Sequence, residues 1–263
     1  MTKNMEKMAV ALQNMGVFTP YTIFCVKWGN KYDSDYVLNL KSQIDKHCSI
    51  PYNFYCLTDN PETEYDILLP TLWDDVYDPE RNFFWAYRKC YMFNEELFPT
   101  IQGYKFLYLD LDVLIHQDLR YFFELHMGKP YIVRGWWNDI NNCKKNYGQL
   151  KSTPLNSSVI RWNRGQLGKI YRHINEHKEV VFFTYRTIDN YFNHHFFKPW
   201  DEKVSFFSGF PQGDVYSWYK GNVFPDDMDK QKIRKDHKIC LFNNSTKPTF
   251  EDMFEIEELR KEW

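Results

Sequence analysis

The 263-residue sequence contains no apolar run that approaches the roughly 18 residues needed to cross a membrane. The apolar stretch at residues 8–12 is too short for the hydrophobic core of a secretory signal, and Gln13 and Asn14 interrupt it. We therefore expect a cytoplasmic protein without a transmembrane segment.

An excess of basic charge is also missing. Lysine and arginine number 33 against 35 aspartate and glutamate residues, which gives a formal net charge of -2 at pH 7. Domains that bind nucleic acid usually carry a basic stripe or patch, so the charge balance predicts no nucleic-acid partner. The hydrophobic fraction of 43% can supply a packed core, which argues against disorder.

Cysteine pairs of the C-x-x-C type do not occur among the six cysteines. Cys25 and Cys240 each lie inside a short apolar run, where a thiol is typically buried and free. Free thiols fit a reducing compartment, in agreement with the cytoplasmic expectation.

Aromatic residues are abundant, at 19% of the chain. Most such rings would fill a core, but exposed rings also stack on the flat apolar faces of sugars and bases. The composition alone leaves both interpretations open.

Short apolar runs alternate with segments of helical spacing through the first half of the chain. Predicted strands lie at residues 22–26, 54–57, 66–69, 104–109, 113–115 and 157–162, with further strand-like runs at 204–207 and 238–242. One predicted helix begins at residue 33 or 34, and three others cover residues 83–98, 166–175 and 188–195. This order predicts an α/β fold with a mostly parallel central sheet flanked by helices. We expect one domain over residues 19–250, a leader over 1–18 and a helical tail over 251–263.

The tripeptide Asp110-Leu111-Asp112 follows the clearest predicted strand, where ligands of parallel sheets gather. The pattern itself is weak, because Asp-x-Asp also occurs at residues 33–35 and 227–229. Its apolar surroundings distinguish this case, since two buried carboxylates are costly unless a cation or hydrogen bonds offset them. Mn²⁺ or Mg²⁺ with oxygen ligands would do so, and a purely structural pair is the alternative.

Residues 106–112, Phe-Leu-Tyr-Leu-Asp-Leu-Asp, resemble the D-x-D segment of GT-A fold glycosyltransferases, especially the family 8-like group. Further segments resemble this group in the same order along the chain, at 25–32, 54–59, 85–93, 156–159, 188–190 and 239–248. The resemblance implies a GT-A fold with a Rossmann-like sheet and a retaining, metal-dependent transfer. The donor would be a nucleoside-diphosphate sugar, a UDP-sugar by this likeness, and the acceptor a carbohydrate, a lipid-linked molecule or a protein.

The resemblance also implies roles for individual residues. Asp112 would bind Mn²⁺ or Mg²⁺ directly, Asp110 would bind the metal or the donor ribose, and Asn243 would be the third ligand. The donor-binding residues would be Val26, Lys27, Trp28, Tyr32, Thr58, Asp59, Arg88, Lys89, Asp110, Leu111 and Lys247. Asn156 and Asp189 would be catalytic: the first would bond a sugar hydroxyl, and the second would face the anomeric carbon or orient the acceptor.

Each of these side chains also has an ordinary structural interpretation. Lysines are mostly solvated surface cations, Trp28 and Tyr32 suit packing after a strand, and Asp189 suits the first turn of a helix. The pair Trp136-Trp137 lines the acceptor site in one interpretation and plugs the core in the other.

The late segment departs from the family pattern, because Asn243 and Asn244 replace a histidine and a glycine. His237 is nearby in sequence but out of register. An amide oxygen is a weaker partner for Mn²⁺ than imidazole, so the alternative is a catalytically weakened nucleotide-sugar or carbohydrate-binding module. A nucleotidyltransferase is less favoured, because residues 27–30 lack its glycine-rich loop.

Overall fold

The structure is a computed structural model that describes residues 20–76, 84–126, 128–146, 153–224 and 230–243. The predicted leader at 1–18 and tail at 251–263 lie outside the described residues, as do Asn244 and Lys247. The domain boundaries therefore stay predictions.

Within the described residues, a seven-stranded sheet forms the centre of the molecule, with the strand order β3-β2-β1-β4-β7-β6-β8. A smaller sheet has the order β5-β10-β9. The strands are β1 (Tyr21–Lys27), β2 (Asn53–Thr58), β3 (Asp66–Leu68), β4 (Lys105–Leu109), β5 (Val113–Ile115), β6 (Tyr131–Arg134), β7 (Leu155–Asn163), β8 (Ser208–Gly209), β9 (Val215–Ser217) and β10 (Ile239–Leu241).

The first four strands of the large sheet, from β3 to β4, are parallel. Strand β7 runs antiparallel to both β4 and β6, and β8 is parallel to β6. The prediction of an α/β fold with a mostly parallel central sheet is confirmed.

Helices flank the sheet. They are α1 (Ser34–His47), α2 (Arg120–Glu124), α3 (Ile140–Lys145), α4 (Gly168–Glu176), α5 (Lys178–Thr184) and α6 (Ile188–His195). Helix α1 begins where the Asp33 carboxylate accepts a hydrogen bond from the backbone N–H of Asp35 at 3.1 Å. It buries Val37, Leu40 and Ile44, whose spacing places them on one face. None of the helices in the described segments has the length and apolarity of a membrane span.

The sequence predicts a helix over residues 83–98, but the described part forms 3₁₀ turns at Phe84–Phe93 and Glu95–Leu97. In a 3₁₀ helix, side chains three residues apart lie above one another. Tyr87, Cys90 and Phe93 have this spacing and are all buried. The tighter coil therefore directs one row of side chains into the core.

Two apolar clusters cover the two faces of the large sheet. Alternating residues of β1 divide between them, with Ile23 in one cluster and Phe24 in the other. The second cluster is rich in rings; Trp162 lies 5.9 Å from Phe24 and 5.4 Å from Phe106 between ring centroids. Core packing thus accounts for much of the aromatic content, and all six cysteines are free, five of them buried.

One predicted strand is wrong. Residues 204–207 form a turn, because the backbone N–H groups of Phe206 and Phe207 both bond to the carbonyl of Phe196, at 2.9 and 3.1 Å. The strand pairing with β6 begins at the next residue, Ser208. An apolar run predicts burial here, but the local fold-back decides the backbone conformation.

Candidate functional site

Asp110-Leu111-Asp112 lies in the short link between β4 and β5, at the carboxyl edge of the large sheet. The backbone N–H of Asp110 bonds to the carbonyl of Ser158 on β7 at 2.8 Å, so a neighbouring strand fixes the link. Leu111 is buried at 2% exposure, which turns the flanking acidic residues away from the core.

A cavity of about 350 Å³ opens at this edge. Its lining is Val26, Trp28, Gly29, Asn30, Lys31, Tyr32, Ala86, Lys89, Tyr108, Asp110, Leu111 and Asp112. Six of the residues predicted to bind a donor are in this lining, and they come from three separate parts of the sequence. The fold brings them together because β1 and β4 are adjacent and parallel.

Four other predicted donor-binding residues lie outside the lining: Lys27, Thr58, Asp59 and Arg88. The Lys27 ammonium lies 2.8 Å from the Glu62 carboxylate, and the Thr58 hydroxyl accepts from a backbone N–H in its own turn at 3.1 Å. The Asp59 carboxylate accepts from the N–H of Gly29 at 3.1 Å. The contact between Asp59 and Gly29 braces the turn after β1.

Gly29 adopts a φ of +67°, a conformation that L side chains rarely take, and Asp59 fixes this turn. The Arg88 guanidinium lies 4.1 Å from the centroid of the Trp28 ring and 2.6 Å from the Asp74 carboxylate. Asp59 and Arg88 therefore contact two residues of the cavity wall, Gly29 and Trp28, and their donor-binding role stays a prediction.

Asp110 is surrounded by donors. The Lys89 ammonium lies 2.9 Å from its Oδ1, and the Tyr108 hydroxyl donates to the same oxygen. Burial raises the pKa of Asp110, but the charge of Lys89 and the hydrogen bonds from Tyr108 and Ser158 outweigh it, so the pKa lies below its usual range. Asp110 is therefore ionised and largely engaged by protein groups.

The effects on the pKa of Asp112 have the opposite balance, and its pKa lies above the usual range. Burial and the negative charge of Asp110 raise its pKa, and the nearby Lys31 charge and a 2.8 Å hydrogen bond from the Tyr32 hydroxyl only partly oppose them. An added positive charge would favour the ionised carboxylate. Two adjacent carboxylates in one cavity thus form a hard-oxygen donor set that fits a divalent cation.

Asn243 follows β10, whose residue Leu241 pairs with Val113. This pairing brings the end of β10 beside the D-x-D link, where the Phe242 N–H lies 3.5 Å from the Asp112 carbonyl. The side-chain oxygen of Asn243 accepts from the Ser217 hydroxyl at 2.6 Å. The ligand set of Asp110, Asp112 and Asn243 stays a prediction, since no trio of His, Cys, Asp or Glu among the described residues is arranged around a metal position.

His237 does not compensate for Asn243. It precedes β10, at the end of that strand away from Asp112, and its Nδ1 lies 3.0 Å from the Asp236 carboxylate. Its ring packs on Tyr216 with centroids 5.1 Å apart. The two candidate metal ligands, Asn243 and His237, therefore lie at opposite ends of β10.

A bulge in β7 shapes the wall beside Lys89. Ile132 pairs with Ile160 but Val133 pairs with Asn156, so residues 157–159 are extra on the β7 side. Such irregularities redirect side chains. The Lys89 ammonium lies 3.2 Å from the carbonyl of Ser157, which is in this bulge.

The two predicted catalytic residues hold this bulge. The Asp189 carboxylate accepts from the N–H of Ser157 at 3.1 Å, and the Asn156 side-chain oxygen accepts from the N–H of Ser158 at 2.9 Å. Burial raises the pKa of Asp189, against the hydrogen bond from Ser157 and the charge of Lys89. The Lys89 charge acts on Asp189, and neither Asp189 nor Asn156 is in the cavity lining.

Among the residues of the site that sequence reasoning missed are Lys31, Tyr108 and Ser157. Tyr108 could have been found, because side chains two residues apart on a strand share a face, and Tyr108 precedes Asp110 by two. Lys31 carried no signal beyond its place in the turn after β1. Ser157 depends on the bulge, which no local pattern predicts.

Three solved structures resemble the fold over about nine-tenths of the chain. A glycosyltransferase involved in the glycosylation of the major capsid of PBCV-1 has a TM-score of 0.53 and 15% identity, covering 90% of this chain and 100% of that chain. The galactosyltransferase LgtC, in complex with donor and acceptor sugar analogs, has a TM-score of 0.55 and 14% identity, covering 92% and 100%. The bifunctional glycosyltransferase WbbM in its apo form has a TM-score of 0.55 and 13% identity, covering 90% and 49%.

No protein-family model matches the sequence, and no curated protein matches it. At these identities the structural likeness establishes the fold and leaves the activity to be argued from the site. The fold is that of the GT-A-type glycosyltransferases.

Proposed function

We propose that the chain is a metal-dependent glycosyltransferase that moves a sugar from a nucleoside-diphosphate sugar to a carbohydrate, lipid-linked or protein acceptor. The observation that carries the proposal is the cavity of about 350 Å³ in which Asp110 and Asp112 lie beside the rings of Trp28 and Tyr32. Ligands of open α/β sheets bind at this carboxyl edge. A UDP-sugar is the proposed donor, as the family 8-like segments imply.

Asp112, Asp110 and Asn243 would hold Mn²⁺ or Mg²⁺. Bound there, the metal would act as a Lewis acid on the departing nucleoside diphosphate. Asp112 is the stronger ligand candidate, because Asp110 already accepts from Lys89 and Tyr108. Tyr32 would orient Asp112 through its 2.8 Å hydrogen bond.

The remaining cavity residues would bind the donor. Lys31, whose charge already acts on Asp112, would contact the phosphates, and Lys247 would add charge as its motif position implies. The ring of Trp28, held by Arg88, and the ring of Tyr32 would border the base. Lys89 would keep Asp110 ionised.

Retention of configuration is part of the proposal. The Asp189 carboxylate already accepts from the Ser157 N–H, so it would hold the bulge near the reacting sugar while the leaving phosphate accepts the acceptor proton. Asn156 would be placed by the same bulge to bond a sugar hydroxyl. Proton NMR of the product would test this, because a retaining enzyme preserves the anomeric configuration of the donor and an inverting enzyme does not.

The test of the enzyme itself is release of nucleoside diphosphate from a panel of nucleotide sugars, with Mn²⁺, Mg²⁺ or chelator. We expect release from one or two donors, dependent on metal and lowered at least 100-fold in Asp112→Asn. The matched control is Asp35→Asn, an exposed acid of another Asp-x-Asp tripeptide, in the first turn of α1. A chain that neither binds nor cleaves any donor contradicts the proposal.

A second candidate is a nucleotide-sugar or carbohydrate-binding module with weakened catalysis. Two contacts favour it: the amide oxygen of Asn243 is engaged by Ser217 at 2.6 Å, and Asp110 is engaged by Lys89 at 2.9 Å. Both reduce the oxygen lone pairs left for a metal. Metal-dependent donor binding without release, in the presence of a broad acceptor panel, would favour this module.

A further inference from the structure

A second cavity, of about 460 Å³, lies where β6 and β8 pair. Its lining includes the cations Lys129, Arg134 and Lys203, the acid Glu202, and the rings of Trp136 and Phe207. Three positive side chains against one negative make this a cationic, partly aromatic cavity. It shares no lining residue with the first cavity, which contains Asp110 and Asp112 and is called the D-x-D cavity below.

Arg134 is the last residue of β6, and its guanidinium lies 3.8 Å from the centroid of the Trp136 ring. The indole N–H of Trp136 donates to the carbonyl of Phe210 at 3.0 Å, which holds the ring in place. Gly209 on β8 makes room for the arginine stem, because a Cβ there would lie 2.7 Å from the Cβ of Arg134. The stacked pair is therefore built by two strands and a fixed ring.

The guanidinium of Arg134 makes no hydrogen bond or ion pair with any residue in the described part of the chain. Burial lowers the pKa of Arg134, while the charge of Glu202 acts in the other direction. A partly buried guanidinium with unused donors is poorly compensated, and its planar fork matches a carboxylate or a phosphate.

The loop opposite Arg134 is braced. The Lys129 ammonium donates to the carbonyl of Ser205 at 2.6 Å and to the carbonyl of Glu202. Lys203 lies between Glu202 and Ser205 in the sequence, and its side chain is exposed at the rim of the cavity. The cavity thus holds Arg134 and Lys129 in fixed positions and has a third cation, Lys203, at its mouth.

The location of the second cavity relative to the D-x-D cavity suggests which molecule it binds. Strand β6 is separated from β4 by β7 alone, so two strand spacings, roughly 10 Å, lie between them. Arg134 ends β6 on the edge of the sheet where Asp110 follows β4, because β7 is antiparallel to both strands. A sugar chain extending from the D-x-D cavity would reach this cavity along the same edge.

We propose that this second cavity binds the anionic group, a carboxylate or a phosphate, of a carbohydrate, through Arg134 stacked on Trp136. Identification of that carbohydrate as the acceptor rests on the proposed glycosyltransferase function. Binding of the anionic sugar does not rest on it, so the two can fail separately.

The test is direct binding, by ligand-observed NMR and calorimetry, with UDP and Mn²⁺ present to fill the first cavity. The probes are methyl glucuronide, glucose 6-phosphate and the neutral methyl glucoside. We expect an anionic probe to bind the native chain at least 10-fold more tightly than the neutral one, and the tighter of the two anions identifies the group. Arg134→Gln should weaken that binding at least 10-fold, and the exposed Arg120→Gln should leave it unchanged.

Lys203→Gln is the second variant, because this exposed rim position tolerates substitution even if Arg134→Gln does not fold. It should weaken the anionic probe about 3-fold. The proposal is overturned if neither anion binds, if the neutral sugar binds equally well, or if Arg134→Gln binds like the native chain. Anion binding without donor turnover would keep this inference and reject the acceptor role.

Discussion

The Lys89 ammonium lies 2.9 Å from the Asp110 carboxylate, in an ion pair whose lysine side chain is 6% exposed and whose aspartate side chain is 25% exposed. It ties the 3₁₀ segment Phe84–Phe93 to the link between β4 and β5. The same ammonium contacts the carbonyl of Ser157 at 3.2 Å. One cation thereby joins the D-x-D link, the β7 bulge and the segment that packs below the cavity.

Removal of this cation should destabilise the fold. Lys89→Met leaves Asp110 and the Ser157 carbonyl without their partner, and we expect a loss of about 2–4 kcal/mol in the free energy of unfolding. The matched control is Lys178→Met, which breaks a pair with the exposed Asp75 and should leave the free energy of unfolding almost unchanged, because solvent screens that pair. Urea unfolding measures both, and equal losses would contradict a structural role for the buried pair.

The parts of the structure that the sequence predicts are those decided by local pattern. Strands β1, β2 and β4 are short apolar runs buried on both faces of the sheet, so their composition is enough to predict them. The placement of Asp110 and Asp112 follows, because the residues after a parallel strand lie at the carboxyl edge. The bulge at 157–159 depends on how β7 pairs with β6, and the turn at 204–207 depends on hydrogen bonds to the Phe196 carbonyl. The hydrophobic pattern of either segment contains neither contact.

The same distinction applies within the cavity. Val26, Trp28 and Tyr32 follow or end a predictable strand and were expected there. Asp59 and Arg88 were expected to bind the donor, yet their contacts are with Gly29 and Trp28. Sequence motifs place residues near a site, whereas the direction of each side chain is decided by partners that only the folded chain brings close.

Tyr32 should set the metal affinity through Asp112. Tyr32→Phe removes the 2.8 Å hydrogen bond that orients the carboxylate, and we expect Mn²⁺ binding to weaken about 10-fold. Tyr52→Phe is the matched control, because the Tyr52 hydroxyl also donates to a carboxylate, that of Asp45 in the last turn of α1, at 2.5 Å. Calorimetric titration of Mn²⁺ measures both variants. An unchanged affinity in Tyr32→Phe would show that Asp112 needs no such orientation.

His195 should make stability fall in mild acid. Burial lowers its pKa to about 4, with smaller effects from His194, His173 and Lys198. The unfolded chain, with a histidine pKa of about 6.5, therefore binds a proton over a range of pH in which the folded chain does not. This contribution to stability is complete above about pH 6.5 and is lost as the pH falls toward 4.

The size of the effect follows from the exposure of the ring. His195 lies at the exposed end of α6, and solvent screening reduces the contribution to about 1 kcal/mol. His195→Asn should remove this part of the dependence of unfolding free energy on pH, measured with urea between about pH 4.5 and 7. The same slope in the variant and the native chain would assign the acid sensitivity to other groups.

Gly103 should tolerate no side chain. Its φ is +106°, and a Cβ there would lie 2.2 Å from the Oγ1 of Thr22, whose hydroxyl donates to the Gln102 carbonyl at 2.7 Å. Gly103→Ala therefore combines backbone strain with a clash against the start of β1, and we expect a loss of about 3–4 kcal/mol. Gly165→Ala is the control, because Gly165 has a φ of +84° with no atom within 4 Å of the added Cβ, so only strain of about 1 kcal/mol remains. If urea unfolding gives the two variants the same loss, the close approach of Thr22 is not what requires a glycine at residue 103.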